Sequence, residues 1–173
     1  MRQILQLLLI LFTTVTQAQS IFEASRTGNI TTLETMYRVN KDTLNTVDNK
    51  GFTPLILAAY NNQAETVSYL LKKGANINAK DLSGNTALMG VCFKGYFNIA
   101  KLLIDNNATV NQENYNNATA LIYASTFGHL DIVNYLLQAG ADKTKKDNRG
   151  NTALKHAEMQ GNTEIINVLN TEK

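Results

Sequence analysis

Residues 48–80 read DNKGFTPLILAAYNNQAETVSYLLKKGANINAK, and the rest of the chain repeats them. Residues 81–113 read DLSGNTALMGVCFKGYFNIAKLLIDNNATVNQE, and residues 114–146 read NYNNATALIYASTFGHLDIVNYLLQAGADKTKK. Residues 147–173 are the shorter DNRGNTALKHAEMQGNTEIINVLNTEK. The four segments align without gaps at a period of 33 residues. A fixed period of this size means one supersecondary unit copied along the chain. A single unit cannot bury its own apolar face, so the core must run from each unit into the next.

Each recurring residue has a physical task. Gly51, Gly84, Asn117 and Gly150 share one turn position, and Gly and Asn are the residues that best tolerate the left-handed region. Thr53, Thr86, Thr119 and Thr152 follow two residues later, where a hydroxyl can accept from an orphan backbone N–H and cap a helix. Pro54 stands at the first helical position of its unit, where a missing N–H costs nothing; the other units have Ala there. Leu55, Leu88, Leu121 and Leu154 then point into the core, and Ala58, Val91, Ala124 and Ala157 let neighbouring helices approach closely. The second helix carries its aliphatic stripe at Val67, Leu70 and Leu71, at Ile99, Ala100, Leu102 and Leu103, at Ile132, Val133, Leu136 and Leu137, and at Ile165, Ile166 and Leu169. Gly74, Asn107 and Gly140 close these helices as left-handed caps.

Turn, cap and core positions together resemble the ankyrin repeat, a β-turn followed by two antiparallel helices with T-P-L-H-x-A at its centre. The resemblance covers residues 48–173. It implies an all-α fold: an ankyrin-repeat α-solenoid with short β-hairpin tips and helix-turn-helix units stacked in a linear array. The family's His is absent, with Ile56, Met89, Ile122 and Lys155 in its place, which puts the usual Thr–His hydrogen bonding between turns in doubt. Residues 19–47 read as a degenerate further unit that caps the N-terminal end. Ile21, Phe22 and Ala24 lie on its first helix, Gly28-Asn29 makes its turn, and Ile30, Leu33, Met36 and Tyr37 form its second apolar face. The loop after it, around residues 40–44, is one residue longer than the family's. The expected units are therefore 19–47, then repeats at 48–80, 81–113 and 114–146, and a last repeat at 147–173 whose polar end suits a C-terminal cap. Capped ends argue for a monomer.

The first eighteen residues differ in kind from the rest. Arg2 supplies a positive charge, residues 4–12 form an apolar run broken only by Gln6, and residues 13–18 are small and polar, ending at Ala18. This is the layout of a secretory signal peptide at 1–18, cut after Ala18. The apolar run falls short of the roughly 20 residues a bilayer span needs. The expected destination is the periplasm; a secreted protein, or one tethered by an uncleaved leader, is the alternative.

With 16 Lys and Arg against 14 Asp and Glu, the formal charge is +2, and no basic cluster suggests nucleic acid. The one cysteine, Cys92, excludes a disulfide framework and falls where the repeat otherwise has Ala, so it reads as a small buried residue. No catalytic grouping stands out. The two histidines, His129 and His156, are scattered, with no zinc spacing, and neither a nucleophile elbow nor a phosphate loop is present. Neither a cofactor nor a metal is expected, and no membrane contact once the leader is removed.

The resemblance places function on the hairpin tips and on the exposed face of the first helix, which together line the concave side. By register these positions hold Phe52, Leu82, Asn85, Tyr115 and Arg149 at the tips, and Tyr60, Phe93, Phe127 and Met159 on the helices. Tyr60 and Phe93 are one period apart, and Phe127 is one residue off register. A row of exposed aromatics on a rigid scaffold is the raw material of an interface hot spot. The expected function is a non-catalytic module that binds a partner protein, as an adaptor or helper of an exported enzyme. The alternative is an inhibitor or immunity-type protein that neutralises a secreted toxin or enzyme. An enzyme is the remote reading.

Overall fold

The turn that opens each repeat is closed the same way every time. The backbone N–H of Asp48 donates to Phe52 O (3.1 Å), that of Asp81 to Asn85 O (2.9 Å), that of Asn114 to Ala118 O (3.0 Å) and that of Asp147 to Asn151 O (3.0 Å). Oδ1 of the opening Asp or Asn accepts two further backbone N–H groups inside its own turn, as Asp81 does from Ser83 and Asn85, both at 2.8 Å. The left-handed residue sits at the apex; Gly84 has φ +80° and Asn117 takes the same turn position at φ +56°.

The computed structural model describes residues 21–171, so the leader expected at 1–18 lies outside the described residues. Residues 21–27 are helical (α1). Then come α2 (Ile30–Val39), a short 3-10 turn (Lys41–Asn45), α3 (Pro54–Tyr60), α4 (Ala64–Lys72), α5 (Ala87–Lys94), α6 (Phe97–Asp105), α7 (Ala120–Thr126), α8 (Leu130–Gln138), α9 (Ala153–Gln160) and α10 (Thr163–Asn170). The β-hairpin tips expected from the sequence are not formed as strands among the described residues. Five residues closed by two backbone bonds and an Asp or Asn side chain leave no length for a ladder. Neighbouring tips do touch through single backbone bonds, Tyr115 N–H to Ser83 O (3.1 Å) and Asn148 N–H to Asn116 O (2.9 Å).

The chain divides into two units, one up to Asn76 and one from Ile77. In the first, Ile21, Phe22, Ala24, Leu33 and Leu57 form a buried cluster, with Met36, Phe52 and Tyr69 packed against it. This gives the degenerate N-terminal segment a true apolar core. The extra residue expected after it is visible: one residue more separates the helix-capping Asn29 from Asn45 than separates Gln63 from Asn78, and the 3-10 turn takes up the difference.

The second unit is a stack of helix pairs. α5, α7 and α9 form one row, α6, α8 and α10 the other, and each row contacts its own neighbours as well as its pair. The four threonine caps form as expected, with Thr53, Thr86, Thr119 and Thr152 hydroxyls accepting from the N–H of Ile56, Met89, Ile122 and Lys155 at 3.2–3.3 Å. The buried stripe of the second helices is narrower than the sequence suggests. Leu70, Ile99, Leu103, Ile132, Leu136 and Ile165 are sealed, whereas Leu71, Leu102, Leu137 and Ile166 are half-exposed.

A second periodic device ties repeat to repeat inside each unit. Asn45 Oδ1 accepts from Asn76 N–H, Asn78 Oδ1 from Thr109 N–H and Asn111 Oδ1 from Asp142 N–H, each at 2.8 Å. These rungs recur at the repeat period and satisfy backbone donors that the loops would otherwise leave open. At the next register position stands Thr144, whose hydroxyl turns back to Asp142 Oδ1 (2.6 Å).

Candidate functional site

The surface expected to dock a partner is built from the first helices and the tips, and the register sorts its residues cleanly. Leu82 and Tyr115 share one tip position and are 70% and 69% exposed. Arg149, at the next tip position, is also exposed. Phe93, Phe127 and Met159, at the ends of α5, α7 and α9, are exposed as well, and so in the first unit is Tyr60 at the end of α3.

Two of the nine expected residues stand differently. Phe52 and Asn85 share the register position just after the left-handed residue, and this position is half-buried in all four repeats. Phe52 packs on the core cluster of the first unit. The Asn85 side chain donates to Asp81 Oδ2 (3.3 Å), while its Oδ1 accepts from Asn114 Nδ2 (2.8 Å) and the Tyr123 hydroxyl (3.2 Å). Its amide is spent on holding two tips together.

That network contains residues the sequence reading passed over. Asn114 is 4% exposed and stands where the other repeats have Asp. Its Nδ2 donates to both Asn85 Oδ1 and Tyr123 Oη (3.1 Å), which a carboxylate could not do. Burial raises the Tyr123 hydroxyl pKa, against the Asn114 bond that lowers it. The corresponding side chain in the last repeat, His156, reaches its own turn in the same way, with Nε2 2.8 Å from Asp147 Oδ2. Burial pushes Asp147 up, yet N–H donation from Asn151, the His156 bond and donation from Arg149 together hold it below the usual carboxylate value. The signal was present in the sequence: Tyr123 and His156 are one period apart and each sits nine residues after its turn's opening residue.

Tyr123 joins the tips to the aromatic pair. Phe93 meets Phe127 edge to face at 4.5 Å between centroids and 72° between planes, and meets Tyr123 at 6.4 Å and 86°. His129 braces the far side: its Nε2 donates to Phe93 O (3.3 Å), and its ring covers Gly95 so closely that a Cβ there would lie 2.5 Å from Cε1. Gly95 is left-handed at φ +78°, so both the turn and the histidine require glycine. Lys80 lies over Tyr115 (5.7 Å to the centroid) and Lys94 over Phe93 (5.9 Å), adding cations to the rim.

Groups that could do chemistry are placed otherwise. Cys92 is sealed between helices, and burial pushes its thiol well above the ordinary range, away from the thiolate that reactivity needs. Among the described residues no three His, Cys, Asp or Glu side chains gather as a metal site would require. Nor is any described helix long and apolar enough to cross a membrane.

Comparison with known proteins agrees with this geometry. The family model for ankyrin repeats, in three copies, matches residues 3–81, 21–114, 79–147 and 111–173, the first stretch starting inside the segment read as a leader. The chain is similar to palmitoyltransferase akr1 of Emericella nidulans, 36% identical over 62 residues, which is 36% of this chain and 8% of that protein. It is 38% identical over 60 residues to palmitoyltransferase akr1 of Neurospora crassa, 35% of this chain and 8% of that protein. It is 37% identical over 60 residues to alpha-latrocrustotoxin-Lt1a of Latrodectus tredecimguttatus, 35% of this chain and 4% of that protein. The chain thus spans less than a tenth of these relatives, and the likeness extends over less than two repeat periods. With the family model covering nearly the whole sequence and the helix pairs, caps and tips in place, the chain belongs to the ankyrin-repeat family, whose repeats form a protein–protein interaction module.

Proposed function

We propose that this chain is an exported, non-catalytic docking protein that holds one folded partner against its tips and first helices, as an adaptor or helper of an exported enzyme. The observation that carries the reading is the Phe93–Phe127 pair. Two large aromatic rings, 37% and 46% exposed, are locked edge to face on a stack of helix pairs, with Tyr115 and Leu82 exposed on the tips of the same unit. Rings held in this way lose little entropy when a partner covers them. Export rests on the segment from Arg2 to Ala18 and its apolar run.

The test is capture of the partner by the wild type and by a Tyr60→Ala, Phe93→Ala, Phe127→Ala variant from a periplasmic extract. The variant should lose the partner while its melting temperature falls only slightly. If it unfolds, the rings are core and the reading fails. A captured toxin or hydrolase whose activity is blocked would instead assign the inhibitor role. Fractionation with N-terminal sequencing checks export: a mature chain starting at Gln19 supports it, and an intact Met1 in the cytoplasm refutes it.

A further inference from the structure

At and beside the tips of the second unit, acids and bases differ in how they are displayed. The carboxylates at its tips stay charged but are turned inward and engaged within the chain. Asp81 Oδ1 accepts two backbone N–H groups and its Oδ2 the Asn85 amide; Asp147 is held by Arg149 N–H, Asn151 N–H and His156; Glu113 pairs with Lys145 at 2.6 Å. Its cations are displayed. Lys80 donates to the Glu113 backbone carbonyl (2.8 Å) and lies over Tyr115, neither of which neutralises it. Lys146, two periods on from Lys80, and Arg149 are exposed, and among the described residues no carboxylate pairs with Lys80, Lys146 or Arg149. The near-neutral whole chain therefore displays exposed, unpaired cations at the tips of the unit that carries the exposed ring pair.

We infer that the partner segment seated on this face is an acidic stretch of protein, with carboxylates meeting Lys80, Lys146 and Arg149 and an apolar side chain covering Phe93 and Phe127. The inference rests on the docking reading above and names the chemistry of its occupant. Complementary charge at the rim sets the choice of partner and the rate of encounter, while the ring pair supplies the desolvated centre. The edge-to-face rings favour a side chain over a nucleobase: they present no pair of open parallel faces for stacking, and the cations are spread at tip positions along the stack, with Glu113 among them.

Isotope-labelled full-length protein titrated with three synthetic peptides tests this. All three carry a Leu-Phe centre, flanked by Glu, by Lys or by Ser, and a thymidine homopolymer is the anionic probe that is not protein. The Glu-flanked peptide should shift the resonances of Phe93, Tyr115 and Phe127, bind about tenfold tighter than the other two, and weaken as salt screens its charges. Lys80→Glu with Arg149→Glu should remove that advantage without moving the melting temperature; should this pair fail to fold, Lys80→Gln with Arg149→Gln carries the test. Equal binding of all three peptides at these residues would leave the docking reading standing and overturn the acidic partner. Tighter binding of the homopolymer would overturn it in favour of nucleic acid. No peptide reaching the face would overturn the acidic segment, while the capture experiment with the triple alanine variant decides the docking reading separately.

Discussion

The second unit uses the same parts on its two rows of helices and to opposite effect. On the row of second helices, Phe97 and Tyr135 meet edge to face at 5.9 Å, and Lys101 lies 4.7 Å above the Tyr135 ring. There the cluster is closed: Lys101 Nζ donates to Asp105 (2.7 Å) and to the Tyr135 hydroxyl (2.9 Å), and that hydroxyl in turn donates to Asp105. The Asp105 and Tyr135 bonds push Lys101 up to about 12. On the row of first helices, Phe93 and Phe127 make the same ring contact with a lysine nearby, but the rings stand exposed at the helix ends. Ring and cation staple two repeats together on one side, and on the other the two rings stand exposed. On the row of second helices Asp105 and the Tyr135 hydroxyl complete the cluster, and on the other row the rings keep their exposure.

That contrast can be broken from either side. The largest effect on stability should come from Asn114→Asp, which sets a carboxylate against Asn85 Oδ1 at a site 4% exposed. A loss of about 1–3 kcal/mol is expected, measured by urea unfolding, because a buried acceptor would face an acceptor. Next, Phe93→Ala with Phe127→Ala should weaken partner binding about tenfold or more, while the lost ring pair costs the fold about 1 kcal/mol. Tyr135→Phe on the other row should leave binding unchanged; a loss there would mean that the partner reaches both rows. Ser125→Ala should stabilise by about 1 kcal/mol in the same unfolding assay, since the Ser125 hydroxyl is sealed in α7 with no hydrogen-bond partner. The smallest effect concerns acid. The Lys101 bond, and after it the Tyr135 bond, hold Asp105 below its ordinary value, so its contribution is present above about pH 3.9 and is lost as pH falls through the lower folded value. Asp105→Asn should flatten that limb of the stability–pH curve, and an unchanged limb would show that the exposed cluster contributes nothing.

Nearly all of the fold was legible because the period repeats backbone requirements as well as apolar content. Gly or Asn at the turn apex, Thr at the cap and Leu at the core stand in every copy, so each unit confirms the others. The docking surface was legible only by position. Phe52 and Leu82 looked alike as apolar tip residues, yet their places in a five-residue turn send one back onto the core and the other into solvent. Asn85 looked like a polar contact residue, and its fate depended on Asn114 and Tyr123, a coupling between neighbouring repeats that aligning them position by position cannot show. The display of charge was equally hidden, because net charge does not tell an inward-facing carboxylate from an exposed, unpaired ammonium.

The asparagine rungs have a mechanical consequence. Each fastens one loop only to the loop after it, through Asn45, Asn78 and Asn111, and at the following position Thr144 bonds within its own loop. Within the second unit load therefore passes from one rung to the next, like links in a chain. Tension applied beyond Asp142 would peel away α9 and α10 while the Asn78 rung still held, so the second unit should yield in steps of one repeat and recover each step by itself.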